Sequence, residues 1–312
     1  MPFVLRAFFG VIMQELRRHG VRKPNDILSA HAETPRAGHG PRTGTAMAAA
    51  GAAIMLALAG LAGPLEAAEL TARDVVSTLF KAAPGSKPNF AGNTLDRLDL
   101  AGLDFKEADL AKANLFGADL SGSNLSKVNL AGANLDRATV TRTNFDAANM
   151  TGATILRPNI YATLEASRTE VPSFVGAKMS GAHLGGRFDL TSFHGAELTG
   201  ARFGPKDHRN EVLITGRAEL VSCDFSDAVL RDANLSRTWA QYAKFNRADL
   251  KGANLAYANL KGADFTGAEL AGADFTGSVL DGANFTDAKG LDRVRGLQEG
   301  LHRGEGTAPV SR

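Results

Sequence analysis

The chain has little of what recognition surfaces and small stapled folds are made from: one cysteine, one tryptophan and three tyrosines in 312 residues. A single cysteine excludes an intramolecular disulfide framework and a multi-cysteine zinc site. Charge of either sign is not in excess, with 35 Lys and Arg against 33 Asp and Glu, which disfavours nucleic-acid binding by bulk electrostatics. The longest apolar run, Ala46 to Ala62, has 17 residues and is short for a spanning helix of about 20. What is present is a 44% hydrophobic composition with 17 phenylalanines. That content excludes a wholly disordered chain, and aromatics that are nearly all Phe suit interior filling.

Residues 1–46 read as a disordered or mis-assigned extension, with a basic segment followed by a Pro, Gly, His and Arg-rich stretch from Lys23 to Thr45. Residues 47–68 have the layout of a signal peptide, an Ala-rich apolar run before GPLEAAEL with a cleavage zone at Ala67 or Ala68. This predicts a periplasmic or secreted protein, and a cytoplasmic one if the segment is not a signal. Membrane contact is expected only through residues 47–63 if they stay uncleaved.

From Phe90 onward a large apolar residue recurs at every fifth position through Leu95, Leu100, Phe105, Leu110 and so on to Ile160, fifteen centres in one register. The pattern returns from Leu220 to Phe285 in fourteen centres, with Ala240 the only undersized one. Between these blocks runs a shorter copy in which the step from Leu184 to Phe188 is four. Two residues before most centres stands a small residue such as Ala113 or Ala118. Asn or Asp usually lies between, as at Asn114 and Asp119. A period of five fits neither a 3.6-residue helix nor a sustained two-residue alternation. It fits a chain that turns a corner every five residues, with the centre and the small residue both inward. Phe225, Phe245, Phe265 and Phe285 recur every twenty, which predicts a coil of four sides with these rings in one interior column. Cys223 takes an inward small position and reads as a buried structural thiol.

These runs resemble the pentapeptide repeat family. The resemblance implies an all-β fold, a right-handed quadrilateral β-helix, over residues 90–289. About nine coils at roughly 4.8 Å each would extend on the order of 43 Å. Residues 69–89 supply a capping helix and linker, with Thr71 as N-cap, Asp74 at N3 and Leu70 facing Val75. Val75, Val76, Leu79 and Phe80 are expected to cover the first coil. Residues 290–312 read as a weak C-terminal cap through Leu291, Val294, Leu297 and Leu301, followed by a loose tail. Insertions near 158–173 and 204–218 are expected as surface loops. They hold Tyr161, Glu165, Arg168 and Glu170, then Lys206 to Glu211.

No nucleophile motif accompanies the Ser, Asp and His residues, so the chain is read as a non-enzyme with no catalytic residues, cofactor or metal. His183 and His194 are expected at the surface, with Asp189 between them in sequence, in no standard ligand spacing. One exterior cluster stands out. Arg217, Arg237 and Tyr257 share a twenty-residue column, with Trp239 and Tyr242 around the corner. The undersized Ala240 favours Trp239 turning inward to fill the space; the competing reading is a docking patch.

The expected function is a non-catalytic exported solenoid that presents a rigid surface to a protein or envelope partner, with a homodimer compatible. A second reading follows from the family, some of whose members mimic duplex DNA and act on gyrase. Residues 90–160 carry eight acidic against seven basic residues and 215–290 carry ten against eight, a poor imitation of a duplex, and nucleic acid itself is not an expected partner. The third is a ligand-binding protein or enzyme using the insertions.

Overall fold

The computed structural model describes residues 70–160, 168–204 and 217–297. The chain divides after Leu65 into two units, and every described residue belongs to the second. The signal-like segment, Tyr161, Glu165, Lys206 to Glu211 and Leu301 lie outside the described residues. Among the described residues, no helix is long and apolar enough to cross a membrane.

Each pentapeptide forms one short side and one corner. The centre and the small residue two before it point inward and are almost entirely buried, as at Ala113 and Leu115, both 0% exposed. The Asn or Asp between them points out, because successive residues of extended chain face opposite ways. Its side-chain oxygen accepts the N–H of the residue two further on, as Asn134 does from Asp136 at 3.0 Å and Asn254 from Ala256 at 3.0 Å. This Asx turn closes the corner and explains why Asn and Asp hold that position. Asn129 Nδ2 also donates to Asp109 Oδ1 of the preceding coil at 2.8 Å.

Four sides make one coil, and each side pairs in parallel with the residue twenty further on: Asn114 with Asn134, Asp224 with Lys244, Asp264 with Asn284. We number the sides from Phe90, so that Phe90, Leu95, Leu100 and Phe105 lead sides one to four. The interruptions preserve this register. Asn144 pairs with Ser173, Ser173 with Ser192 and Ser192 with Asp224, steps of 29, 19 and 32. Nine residues are added, one is removed and twelve are added, all between sides. Continuous strand is confined to this region, in β1 (Thr154–Leu156), β2 (His183–Arg187), β3 (Arg202–Phe203) and β4 (Ala218–Glu219). β2 pairs with each of the other three.

The expected Phe column exists and is longer than the sequence period shows. Phe145, Phe174, Phe193, Phe225, Phe245, Phe265 and Phe285 stack on side four with centroids 4.8 to 5.2 Å apart and planes within 5° of parallel. The ring separation is close to the coil rise of about 4.8 Å, so stacking of rings and pairing of backbones reinforce one another.

The corner beside this column carries small polar residues that donate inward. Ser123 Oγ bonds to the Leu100 carbonyl at 2.7 Å and Thr143 Oγ1 to that of Leu120 at 2.8 Å. Cys223, 0% exposed as expected, donates its Sγ–H to the Phe188 carbonyl at 3.0 Å, and burial pushes its thiol pKa well up. Thr191 takes the same inward position, yet its Oγ1 is buried without a partner. An orphaned hydroxyl costs about 1–3 kcal/mol. Thr191→Val is therefore expected to raise stability by about 1 kcal/mol, seen as a higher urea midpoint at unchanged slope. A lowered midpoint would show that the hydroxyl is paired in solution.

Before the first coil, α1 (Ala72–Lys81) begins with a capping box between Thr71 and Asp74. Val75 and Leu79 are buried in the same core as the coils, with Leu70 packed against it. Lys106 Nζ bonds to the Leu79 carbonyl at 2.7 Å. Val76 and Phe80, expected to share this task, are instead 44% and 86% exposed. The i, i+4 pair Val75 and Leu79 makes one stripe, and residues one position further on are turned about 100° away from it. At the other end Gly290 turns left-handed into a 3-10 turn at Leu291–Arg293, and Leu297 is buried.

Candidate functional site

The predicted surface cluster is assembled by the corners on either side of side three. Arg237 and Tyr257 lie two residues past side-two centres, on the left-handed corner position, with φ of 60° for both. Tyr242 holds the equivalent place after side three at φ 58°. Trp239 occupies the outward position of side three, paired to Glu219 and Asn259.

Trp239 does not turn inward. Its side chain is 40% exposed while Ala240 is fully buried. The backbone decides this: Trp239 N–H donates to Ala218 and its carbonyl accepts from Leu220, and that pairing fixes an outward Cβ between the inward Thr238 and Ala240. Thr238, fully buried where Ala is usual, adds volume at the same corner and bonds through Oγ1 to the Leu235 carbonyl at 2.7 Å. Rotamer freedom at Trp239 is subordinate to the coil's hydrogen-bond ladder.

Cations support Trp239 and Tyr257, and glycines support Tyr242 and Tyr257. The Arg217 guanidinium lies over the Trp239 ring at 5.4 Å and that of Arg237 over Tyr257 at 5.5 Å. Such contacts contribute about 0.5–1 kcal/mol at exposed sites. Tyr242 lies against Gly262 and Tyr257 against Gly277, where an added Cβ would come within 2.6 and 2.7 Å of the ring carbons. Tyr242 and Tyr257 remain 56% and 61% exposed, and Val279 extends the apolar area on side three at 38%. Sequence spacing brought the five residues together; it missed Val279 and the glycine floors, whose signal is a glycine twenty residues after each tyrosine.

The histidines behave differently from one another. His183, expected at the surface, is only 9% exposed, and its Nε2 is in hydrogen-bond contact with the Gly204 carbonyl. The chain leaving side two at Gly204 covers an otherwise outward position. His194 is exposed, with Nδ1 3.8 Å from Asp227 Oδ2. Burial raises the Asp189 carboxyl pKa, against the N–H that Val221 donates to it. No group of three metal-ligating side chains occurs among the described residues. Of the insertions, the described Arg168 reaches the Ser222 carbonyl at 3.3 Å, next in the column to Tyr242.

The pentapeptide repeat family model matches residues 89–122, 123–155, 218–256, 243–282 and 258–289, with eight copies. Among solved structures, the chain is similar to HetL, a pentapeptide repeat protein involved in heterocyst differentiation regulation in the cyanobacterium Nostoc. Identity is 24% over 73% of this chain and 95% of that one, with a TM-score of 0.34. It is similar also to QnrB1, a plasmid-mediated fluoroquinolone resistance protein, at 19% identity over 69% and 96% of the two chains and a TM-score of 0.35. A pentapeptide repeat protein of the Arabidopsis thaliana thylakoid lumen shares 30% identity over 39% of this chain and 66% of that one, with a TM-score of 0.18. No curated protein matches.

Proposed function

Because the chain belongs to the pentapeptide repeat family and so folds as a right-handed β-helix, we propose that it is a non-catalytic interaction scaffold of about nine coils. In this reading α1 caps the first coil, and the surface of Arg217, Arg237, Trp239, Tyr242 and Tyr257 receives a protein or envelope partner outside the cytoplasm. The observation that carries it is Trp239, held outward at 40% exposure beside the exposed Tyr242 and Tyr257, while most of the described phenylalanines are spent on the core. Large aromatic and arginine side chains are the residue types that dominate binding energy when a partner covers them.

Trp239→Ala tests this. With so much of the ring in solvent, thermal stability is expected to change by less than about 1 kcal/mol, while recovery of the partner from the native compartment falls at least tenfold, the effect of one hot-spot residue. Unchanged recovery would place the partner elsewhere. Fractionation with N-terminal sequencing of the mature protein tests the export half of the proposal.

A further inference from the structure

One corner of the solenoid is built differently from the others. The corner between sides two and three brings Arg97, Arg137, Arg157, Arg217 and Arg237 into one column, all of them exposed. Gly117 and the shortened corner Gly185–Gly186 stand between them. From Thr94 to Asn234 the adjoining side climbs six coil rises, so the column extends for about 29 Å.

Several cations on the other corners and sides are matched by carboxylates. Lys87 and Lys127 flank Glu107, Arg231 reaches Asp249, Lys289 reaches Glu269, and Arg247 holds Asp227, whose pKa it lowers through their hydrogen bond. Arg97, Arg137 and Arg217 are in none of the ion pairs among the described residues. The acids of their corner are Asp96 and Asp136, and Asp136 turns its Oδ1 to the Leu156 N–H at 2.9 Å. Three guanidinium groups of the column meet rings: Arg137 lies over Phe116 at 5.7 Å, as Arg217 and Arg237 do over Trp239 and Tyr257. A ring face holds the planar fork in place and leaves its N–H donors outward.

Resting on the scaffold reading above and specifying its envelope partner, we propose that this corner binds an extended acidic polysaccharide, a polyuronate chain laid along the arginine column. Arginine forks suit carboxylates, which accept two parallel N–H bonds. A polyuronate advances by about one coil rise per sugar, so its carboxylates can follow the column without a change of pitch. The competing polyanions fit less well. A single-stranded nucleic acid needs open ring faces for its bases, whereas guanidinium groups cover Phe116, Trp239 and Tyr257, and Gly277 lies against Tyr257. A duplex winds its phosphates away from a straight edge. A flat anionic membrane would also press on Asp99, Asp119 and Glu219 of the adjoining side three.

The test titrates the full chain with polygalacturonate, its methyl ester, duplex DNA and phosphatidylglycerol vesicles at one ionic strength. Polygalacturonate is expected to bind most tightly, with the ester at least tenfold weaker. The combined Arg97→Gln, Arg137→Gln, Arg217→Gln and Arg237→Gln variant should bind about a hundredfold more weakly at an unchanged melting temperature. Arg247→Gln, on a different corner, should bind as the parent does. Equal binding of the ester, full binding by the fourfold variant, or tighter binding of DNA or vesicles would overturn the proposal. Arg97→Gln with Arg137→Gln separates the two readings, because these residues lie outside the aromatic surface. If that pair leaves polygalacturonate binding intact, the polymer assignment fails, while partner recovery lost in Trp239→Ala still supports the scaffold.

Discussion

Phe193→Ala is expected to destabilise the protein by about 4–5 kcal/mol, the upper part of the range for a buried phenylalanine. Its ring stacks on Phe174 at 5.1 Å and Phe225 at 4.8 Å, and meets the edges of Phe188 at 6.3 Å and Phe203 at 6.4 Å. Rings locked from four directions cannot close over the vacated volume, so the transfer and cavity costs add. Phe193→Leu should cost only about 1–1.5 kcal/mol, since Leu125 already stands in this column, its side paired to those of Phe105 and Phe145. A second consequence follows from solenoid architecture, in which each coil is coupled only to its neighbours. Weakening the middle of the stack should uncouple the two halves. Fluorescence of the single tryptophan, Trp239, reports the second half, while far-UV circular dichroism reports both. The two denaturation curves are expected to separate in Phe193→Ala and to coincide in the parent. A loss below about 2 kcal/mol with coincident curves would mean that the column can collapse around the gap.

The period of five was legible because each position of the pentapeptide has one steric duty, and the residues at Ala113, Asn114 and Leu115 show it without any long-range information. The four aligned phenylalanines from Phe225 to Phe285 were legible for the same reason. Phe174 and Phe193 were not, because nine added and one missing residue shift them off the twenty-residue spacing while the coils keep their register, and they separate Phe145 from the run that begins eighty residues later at Phe225. Trp239 was misjudged by weighing the volume missing at Ala240 above the backbone pairing that sets the direction of its side chain. His183 was misplaced because its burial comes from Gly204, twenty-one residues away, which no local pattern encodes. The arginine corner lay in the sequence at multiples of twenty, from Arg97 through Arg137, Arg157 and Arg217 to Arg237, because the nine added, one missing and twelve added residues sum to one coil length. Val76 and Phe80 were overcounted because an apolar run on a short helix is wider than the stripe a coil end can cover.

Gly296→Ala should loosen the C-terminal end by about 3 kcal/mol, far beyond what the loss of glycine usually costs. Gly296 has φ 72°, and a Cβ there would sit 2.4 Å from both the N and Cα of Thr276 and 2.8 Å from the carbonyl carbon of Phe275. These obstacles are backbone, so no side chain can swing aside and the terminal turn must lift. Lifting exposes Leu297, worth about 2 kcal/mol of burial. It also breaks the Phe275–Arg295 and Arg295–Ala273 backbone bonds of 2.8 and 3.0 Å, each worth about 1 kcal/mol. Detachment sets the upper limit on the cost, since strain beyond it is relieved by local opening. Gly282→Ala is the matched control: its φ is 67°, but nothing lies within 4 Å of its Cβ, so only the left-handed penalty of about 1 kcal/mol applies. An opened end presents unpaired coil edges, which favour end-to-end association. Sedimentation should accordingly show concentration-dependent dimers for Gly296→Ala and monomer-like behaviour, relative to the parent, for Gly282→Ala. Equal stability losses in the two variants would show that the close approach to Thr276 is relaxed in solution, and that the end is held by Leu297 alone.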